Sequence, residues 1–453
     1  MLIRFVVSNF MSFKEETEFN MLKSNGNGSR QFPNHVIKTD SGVEILKTAA
    51  IYGANAAGKS NLIKAIEYLK NTVLNTNNTH LVPQSKRFRI DESYKSKSST
   101  FRLEYLFNNI HFDYALEIEK GKIIQEWLYI IDSVKKEKEQ FLYERKLNEV
   151  SLGSFFEGND IDINYLNKYL NKELQPTQTV LNALNDRIEG TEIINSIYCA
   201  FLSLKIVTPQ SLSVGYIESL INNKHSKEFI EKVLQNSNTG IERLEVQDIE
   251  ADNFFSYEDA NFKSELIELL ESELEKANDR ESIPFIIGNQ LATIRKEGTK
   301  YLVSIIKTKH YASDNLFDFD EESDGTNRLF ELIPAFEELI ENDDSVYLID
   351  EIERSLHPIL AKELLKLFTQ NSLTKSQLIF TTHESHLLDD DLFRRDEIWF
   401  TEKKPDGSTV FYPLSNFNPR GDKVIERGYL QGRYGGIPFL GDFSKLLMEE
   451  KLL

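Results

Sequence analysis

The sequence predicts an α/β fold: a parallel sheet covered by helices, joined to an antiparallel sheet and a helical insertion. Three observations carry this. The apolar run Ala49-Ala50-Ile51-Tyr52 passes through a glycine-rich loop into a helical pattern at Leu62, Ile63, Ala65, Ile66 and Leu69. Further on, Val346-Tyr347-Leu348-Ile349, a helix bearing Leu360, Leu364, Leu365 and Phe368, and Gln377-Leu378-Ile379-Phe380-Thr381-Thr382 follow in turn. Strands that alternate with helices imply parallel pairing under helical cover. Between these regions, Thr100 to about Arg145 alternates in short strands separated by Asn108-Asn109 and Gly121, the pattern of an antiparallel sheet.

The remaining elements follow in order. Leu2-Ile3-Arg4-Phe5-Val6-Val7 reads as an opening strand, and about Ile161 to Asn236 is polar and helical. Leu266, Leu270 and Leu274 mark a further helix, and Tyr301 to Ile306 is where strands return on the way to the parallel sheet. No heptad register runs far enough for a long coiled coil.

With 453 residues, the chain has room for roughly three domains. Cys199 is its one cysteine, which excludes a disulfide scaffold or a cysteine-based zinc site and points to a reducing, cytoplasmic setting. The 53 Lys and Arg against 72 Asp and Glu give a net charge of −19, which disfavours a sequence-blind nucleic-acid coat. The first ten residues lack the long apolar core of a signal peptide, and no stretch of about 18 apolar residues exists, so no membrane partner is expected.

Gly53-Ala54-Asn55-Ala56-Ala57-Gly58-Lys59-Ser60 matches G-x-x-x-x-G-K-[ST], and Asn61 follows it into the helix. Glycines let backbone N–H groups curl around a phosphate, and the helix that follows points its positive end at the anion. Lys59 can reach the β- and γ-phosphates, and the Ser60 hydroxyl can ligate Mg²⁺. A chain of this length would show roughly 0.02 such matches by chance, so ATP with Mg²⁺ is the expected ligand pair. Asp350-Glu351 closes an apolar strand: Asp350 is the Mg²⁺ acid, and Glu351 orients and polarises the attacking water. His383 ends a second such strand and is the candidate γ-phosphate sensor.

In this order, loop, acidic pair and histidine resemble the ABC-type ATPases, in particular the structural-maintenance, DNA-repair and OLD-like branch. The resemblance implies a P-loop NTPase fold, an ABC-type ATPase head, with three parts. These are an N-terminal lobe with the antiparallel subdomain (1–155), a helical insertion (156–240) and a C-terminal lobe (241–453). It also implies a signature that caps ATP held by a second subunit. Glu322-Ser323-Asp324-Gly325-Thr326 occupies that place, with Ser323 as cap and phosphate donor and Gly325 permitting close approach; a plain structural helix cap is the alternative. The usual first glycine is Asp324 here. Ile352 to Pro358 resembles the dimer-contacting D-loop, with Ser355 in it, and Asn9-Phe10-Met11-Ser12-Phe13 resembles the branch's opening motif. Gln84 is the candidate for the lobe-junction glutamine.

Arg394-Arg395-Asp396-Glu397-Ile398-Trp399-Phe400 and Tyr429 to Pro438 narrow the resemblance to the bacterial AAA_15/AAA_21-type "ATP/GTP phosphatase" proteins. Members sit in anti-phage loci such as PARIS, abortive-infection L and RloA-type systems. This implies a homodimer or higher oligomer closed over ATP and a separately encoded Toprim- or nuclease-like effector. A phage protein or nucleic acid would be the trigger. A DNA-repair ATPase acting directly on DNA ends is the competing class. Lys86-Arg87-Phe88-Arg89 is the best basic patch, with a solvated strand edge the plainer reading; the helical segment 161–236 or the surface from Tyr429 to Phe439 is the expected dock for an effector, the latter being equally a lobe-packing tail.

Overall fold

In the computed structural model the described residues are 1–24, 32–40, 42–75, 81–132, 138–158, 162–187, 192–208, 220–221, 223–256, 259–275, 282–287, 290–417 and 425–437. The chain opens with β1 (Leu2–Ser8), β2 (Thr17–Asn20), β3 (Val36–Lys38), β4 (Glu44–Leu46), β5 (Thr48–Gly53) and α1 (Lys59–Leu74). It continues through β6 (Ser99–Phe107), β7 (Ile110–Glu119), β8 (Lys122–Asp132), β9 (Lys138–Lys146) and β10 (Glu149–Leu152). Next are α2 (Ile163–Lys172), α3 (Val180–Arg187), α4 (Glu192–Leu202), β11 (Leu204–Val207) and α5 (Lys224–Asn236). Then come β12 (Ile241–Glu250), α6 (Ala251–Phe254), α7 (Ala260–Glu275), β13 (Ser282–Ile287), β14 (Gln290–Glu297), β15 (Lys300–His310) and β16 (Leu316–Phe317). The last elements are α8 (Asp324–Glu341), β17 (Val346–Ile349), α9 (Pro358–Thr369), β18 (Gln377–Thr382), β19 (Ile398–Lys403), β20 (Thr409–Pro413) and α10 (Ile425–Leu430).

Two compact units result. The first joins Met1–Thr208, Glu341–Ile352 and Leu365–Leu453. Its core sheet runs β11-β17-β18-β5-β19-β20 among the described residues, parallel from β11 to β19 and closed by the antiparallel β20. β5, β17 and β18 are buried along their whole length, as strands covered on both faces must be. A second sheet, β10-β9-β8-β7-β6-β1-β2, is antiparallel throughout, and its alternating inward residues join the same apolar core as α1. The expected helical segment carries α2 to α5 among its described residues. It also carries β11, which pairs with β17 and becomes an edge of the parallel sheet.

Two buried ionic clusters seat this unit. Glu126, fully buried on β8, accepts from Tyr114 Oη (3.1 Å), Tyr143 Oη (2.8 Å) and the N–H groups of Val180 (2.8 Å) and Leu181 (3.2 Å) at the start of α3. The helix end and two hydroxyls offset part of the desolvation, yet burial still pushes the Glu126 carboxyl above its ordinary value. The motif from Arg394 to Phe400 is the second. Arg394 forks onto Asp396 (2.9 and 2.6 Å), and Glu397 holds His35 Nδ1 at 2.8 Å while its carbonyl accepts from Ala50 N at 2.8 Å. The motif thus docks β19 beside β5.

The second unit comprises Pro209–Ile340 and Glu353–Leu364. Its sheet, β12-β15-β14-β13 with β16 beside β15, is antiparallel. This corrects the expectation that the Tyr301 strand leads into the parallel sheet: β15 pairs antiparallel on both sides. Leu266 and Leu270 of α7 enter the core over this sheet, while Leu274 stays exposed. Among the described residues, no helix is long and apolar enough to cross a membrane.

Candidate functional site

Parallel strands present their carboxyl ends on one edge, where ligands bind in open α/β sheets. In the first unit that edge gathers Gly53 after β5, Asp350 and Glu351 after β17, and His383 after β18. Gly53 has no room for a side chain: a Cβ there would lie 2.5 Å from Thr401 Cγ2. Gly58 takes a φ of 109° to turn the loop into α1, and a Cβ would stand 2.3 Å from Thr409 Oγ1. Asn55 and Ala56 at the loop's crown are exposed, Ala54 and Asn61 half-buried, and Ala57 buried.

The loop's chemistry is held from several sides. Lys59 is buried, and its Nζ donates to the carbonyls of Gly53 (2.8 Å) and Ala54 (3.2 Å). That Nζ also lies 3.3 Å from His383 Nδ1; an ammonium only donates, so Nδ1 accepts and the imidazole proton sits on Nε2. His383 Nε2 is 4.0 Å from Glu351 Oε1. Ser60 Oγ donates to Asp350 Oδ1 at 2.9 Å, and the same oxygen accepts from Thr381 Oγ1 at 2.5 Å. Thr381 Oγ1 in turn accepts from Glu351 N at 2.8 Å. Glu351 is left-handed, with φ 51°, a conformation disfavoured for its type and held here by the Thr381 contact.

Several supports received no role from the sequence, although Ser12 stands in its opening motif Asn9 to Phe13. Ser12 Oγ accepts from Asn61 Nδ2 (2.7 Å), and Thr409 Oγ1 lies 2.8 Å from it. The hydroxyls of Thr401 (3.1 Å) and Thr409 (2.7 Å) donate to Ala57 O. Thr381 had a local signal, as a hydroxyl ending an apolar strand beside His383. Thr401 and Thr409 had none, because the β19–β20 hairpin brings them to the loop from some 340 residues away.

In the second unit, Ser323 caps α8: its Oγ accepts from Thr326 N at 3.2 Å and lies 2.9 Å from Thr326 Oγ1. Ser323 itself is exposed. A Cβ on Gly325 would lie 2.9 Å from Ser355 O, so the glycine lets the start of α8 pack against the backbone of Ser355, a residue at φ 58°. Candidate signature and candidate D-loop therefore touch.

Other expected residues fall differently. Gln84 sits in a short 3-10 turn, Gln84–Lys86. Of the basic patch, Lys86 and Arg89 are exposed, while Arg87 is buried, with Nη1 on Lys95 O at 2.5 Å, and so is Phe88. Asn9 is a structural knot, its amide on the carbonyls of Tyr94, Lys97 and Ser98 at 2.9 to 3.1 Å. Of the two readings of the segment near Tyr434, the packing tail holds at Tyr434 and the exposed dock does not. Tyr434 is buried and stacks on Phe400 at 5.8 Å, and Phe439 lies outside the described residues.

A strand, phosphate loop and helix beside an acid-tipped and a histidine-tipped strand define a P-loop ATPase head of the ABC type. The model of the AAA_21 family, described as "AAA domain, putative AbiEii toxin, Type IV TA system", matches residues 49–175 and 212–389. That is more than half of the chain, and the chain belongs to this family of ABC-type AAA ATPases. No curated protein matches the sequence. Among solved structures, it is similar to the SMC head domain from Thermotoga maritima: 15% identity, 91% of this chain and 98% of that one, TM-score 0.38. It is also similar to an SmcHead bound to the C-winged helix domain of ScpA: 12% identity, 91% and 97%, TM-score 0.44. A third is the Smc head domain with an extended coiled coil bound to the C-terminal domain of ScpA, derived from Pyrococcus furiosus: 14% identity, 95% and 98%, TM-score 0.39.

Proposed function

We propose that this chain binds MgATP in a site completed by a second copy of itself and hydrolyses it slowly as a conformational switch. The observation that carries the reading is the contact of Ser60 Oγ with Asp350 Oδ1, 2.9 Å apart at the mouth of the glycine loop. A hydroxyl and a carboxylate face to face are the hard oxygen donors that Mg²⁺ takes, so the residues fit the ion. Mg²⁺ held by Ser60 and Asp350 would supply neutralisation of the phosphate charge.

The chain's own groups do the rest. Lys59 exchanges its hold on the Gly53 and Ala54 carbonyls for phosphate oxygens, and the loop N–H groups with the α1 end bind the β-phosphate. Glu351 orients the attacking water and takes its proton, and His383 reads the γ-phosphate. The lobe from 1 to 155 supplies the loop, and the lobe from 241 to 453 supplies Asp350, Glu351, His383 and the cap Ser323–Gly325 offered to a partner's ATP, with Ser355 beside it.

We further propose that the switch controls a separately encoded Toprim- or nuclease-like effector in anti-phage defence, triggered by a phage protein or nucleic acid. The family's description and the resemblance of the sequence motifs to defence ATPases support this. ATP turnover by the parent, absent in Lys59→Ala, tests the nucleotide reading. Expression with neighbouring genes and purification through this chain tests the other. A protein that purifies alone and by itself protects cells from phage overturns the effector reading.

A further inference from the structure

The segment from α10 to Ile437 turns inward and meets the candidate site at two places. At one end, Glu426 Oε1 lies 2.8 Å from His386 Nδ1 and accepts from Ser385 Oγ at 3.4 Å, in the turn that follows His383. That turn is tied to the end of β18, since Glu384 N donates to Thr382 Oγ1 at 3.0 Å and the Glu384 carboxylate accepts from His386 N at 3.2 Å.

At the other end the segment rests on the root of the phosphate loop. Tyr429 stacks on Phe400 with centroids 5.5 Å apart and lies 6.1 Å from the ring of Tyr52, the residue before Gly53. Tyr434 stacks on the same Phe400, leaving Gly428 no room: a Cβ there would lie 2.7 Å from the Tyr434 ring. Tyr429 Oη donates to Gly436 O at 3.1 Å, and Tyr412 Oη donates to Tyr434 O at 2.9 Å. A Cβ on Gly436 would stand 3.5 Å from Thr401 O and 3.7 Å from Gly53 Cα, so the two backbones lie side by side.

We propose that residues 425–437 are a latch that positions His383 against the phosphate loop, with Glu426 and Tyr434 as positioning residues for hydrolysis. The proposal rests on the nucleotide reading above. His383 is exposed and leads into a turn of three residues, so the direction of its ring depends on what holds that turn as well as on its contact with Lys59 Nζ. Glu426 holds it from α10, and α10, whose Ile425 is buried, is fixed by Tyr429 to Phe400 on β19, the neighbour of β5. Sensor and loop root thus share one aromatic anchor. A shift of His383 toward a γ-phosphate pulls on α10, and an unseated latch lets His383 wander.

The test uses the full chain. A fluorescent MgATP analogue is bound first, parent against Lys59→Ala; a parent that binds none refutes the nucleotide reading, and the latch with it. Where the parent binds, Glu426→Ala and Tyr434→Ala should bind within about twofold of it yet turn over about tenfold more slowly, with kcat falling and KM unchanged. Tyr434→Phe, which keeps the stack, should restore the rate. Hydrogen exchange of the 425–437 amides should slow when the analogue binds the parent but not when it binds Glu426→Ala. If turnover is too slow to measure, the exchange decides alone. Variants that lose melting temperature but keep the parent's kcat, or exchange in 425–437 that ignores nucleotide, overturn the latch and leave the nucleotide reading standing.

Discussion

Ser60 Oγ donates to Asp350 Oδ1 across 2.9 Å, joining the first turn of α1 to the tip of β17, 290 positions later. Two neighbours of this contact hold the loop at working distance: Thr381 fixes Asp350, and Lys59 spans Gly53 and His383.

Lys59→Ala is therefore expected to abolish MgATP binding. The Lys59 Nζ holds two loop carbonyls and lies beside His383, so the loss of these polar contacts should lower the melting temperature by only a few degrees. Equilibrium binding of a labelled ATP analogue, read beside thermal unfolding, checks both parts. Full binding by the variant would remove Gly53 to Ser60 from the site.

Ser323→Arg tests the shared site. The arginine removes a helix cap worth about 1 kcal/mol and places a bulky cation where a short hydroxyl is exposed. The variant should bind ATP but not turn it over. Mixed with Lys59→Ala, it should regain part of the parent rate, because each mixed pair keeps one intact loop facing one intact cap. Recovery by no mixture, while both variants still assemble, would contradict composite closure.

Lys47 gives a pH signature. Its ammonium donates to Asn371 O at 2.9 Å and lies 5.0 Å from the Phe368 ring centroid; burial holds its pKa down to about 8. An unfolded lysine titrates near about 10.4, so between about pH 8 and 10.4 the unfolded chain binds more protons and stability rises with pH. Below that window the ammonium is charged in both states and its full burial cost remains. Lys47→Met should flatten the rise in denaturant-midpoint measurements; an unchanged slope would mean that Lys47 is not its source.

Glu126→Ala leaves the N–H groups of Val180 and Leu181 and two tyrosine hydroxyls without their acceptor. A loss of about 3 kcal/mol in chemical denaturation is expected, with Glu126→Gln losing less than half as much. Equal losses would show that the one acceptor oxygen a glutamine keeps contributes nothing.

The nucleotide half of the site was legible because its residues are local or end apolar strands: loop, Asp350, Glu351 and His383 stand at the tips of β5, β17 and β18. Long-range partners carried no such signal. Thr401 and Thr409 buttress the loop from a distant hairpin, and nothing in a single hydroxyl's surroundings announces that, whereas Ser12 stands in the opening motif Asn9 to Phe13. The fold was readable where periodicity was strong, as in β6 to β9. It was misread at β15: Tyr301 to Ile306 looks like a step toward the parallel sheet, but β13, β14 and β15 follow one another as antiparallel hairpins, and β15 takes the sequence-distant β12 on its other edge. Composition misled at Arg87 and left Tyr434 open between surface and packing: a cation or an aromatic looks like surface until a carbonyl or a stacked ring is found to take it in.

The most direct measurement is single-turnover hydrolysis by Glu351→Gln. Glu351 stands at the tip of β17, its backbone N–H held by Thr381 and its carboxylate 4.0 Å from His383 Nε2. The variant should bind MgATP as tightly as the parent and cleave it about 10² to 10⁴ times more slowly, the contribution of a positioned base, so that uncleaved ATP accumulates on the protein. ATP retained no longer than on the parent would contradict the assignment of Glu351, and with it the hydrolytic site described here.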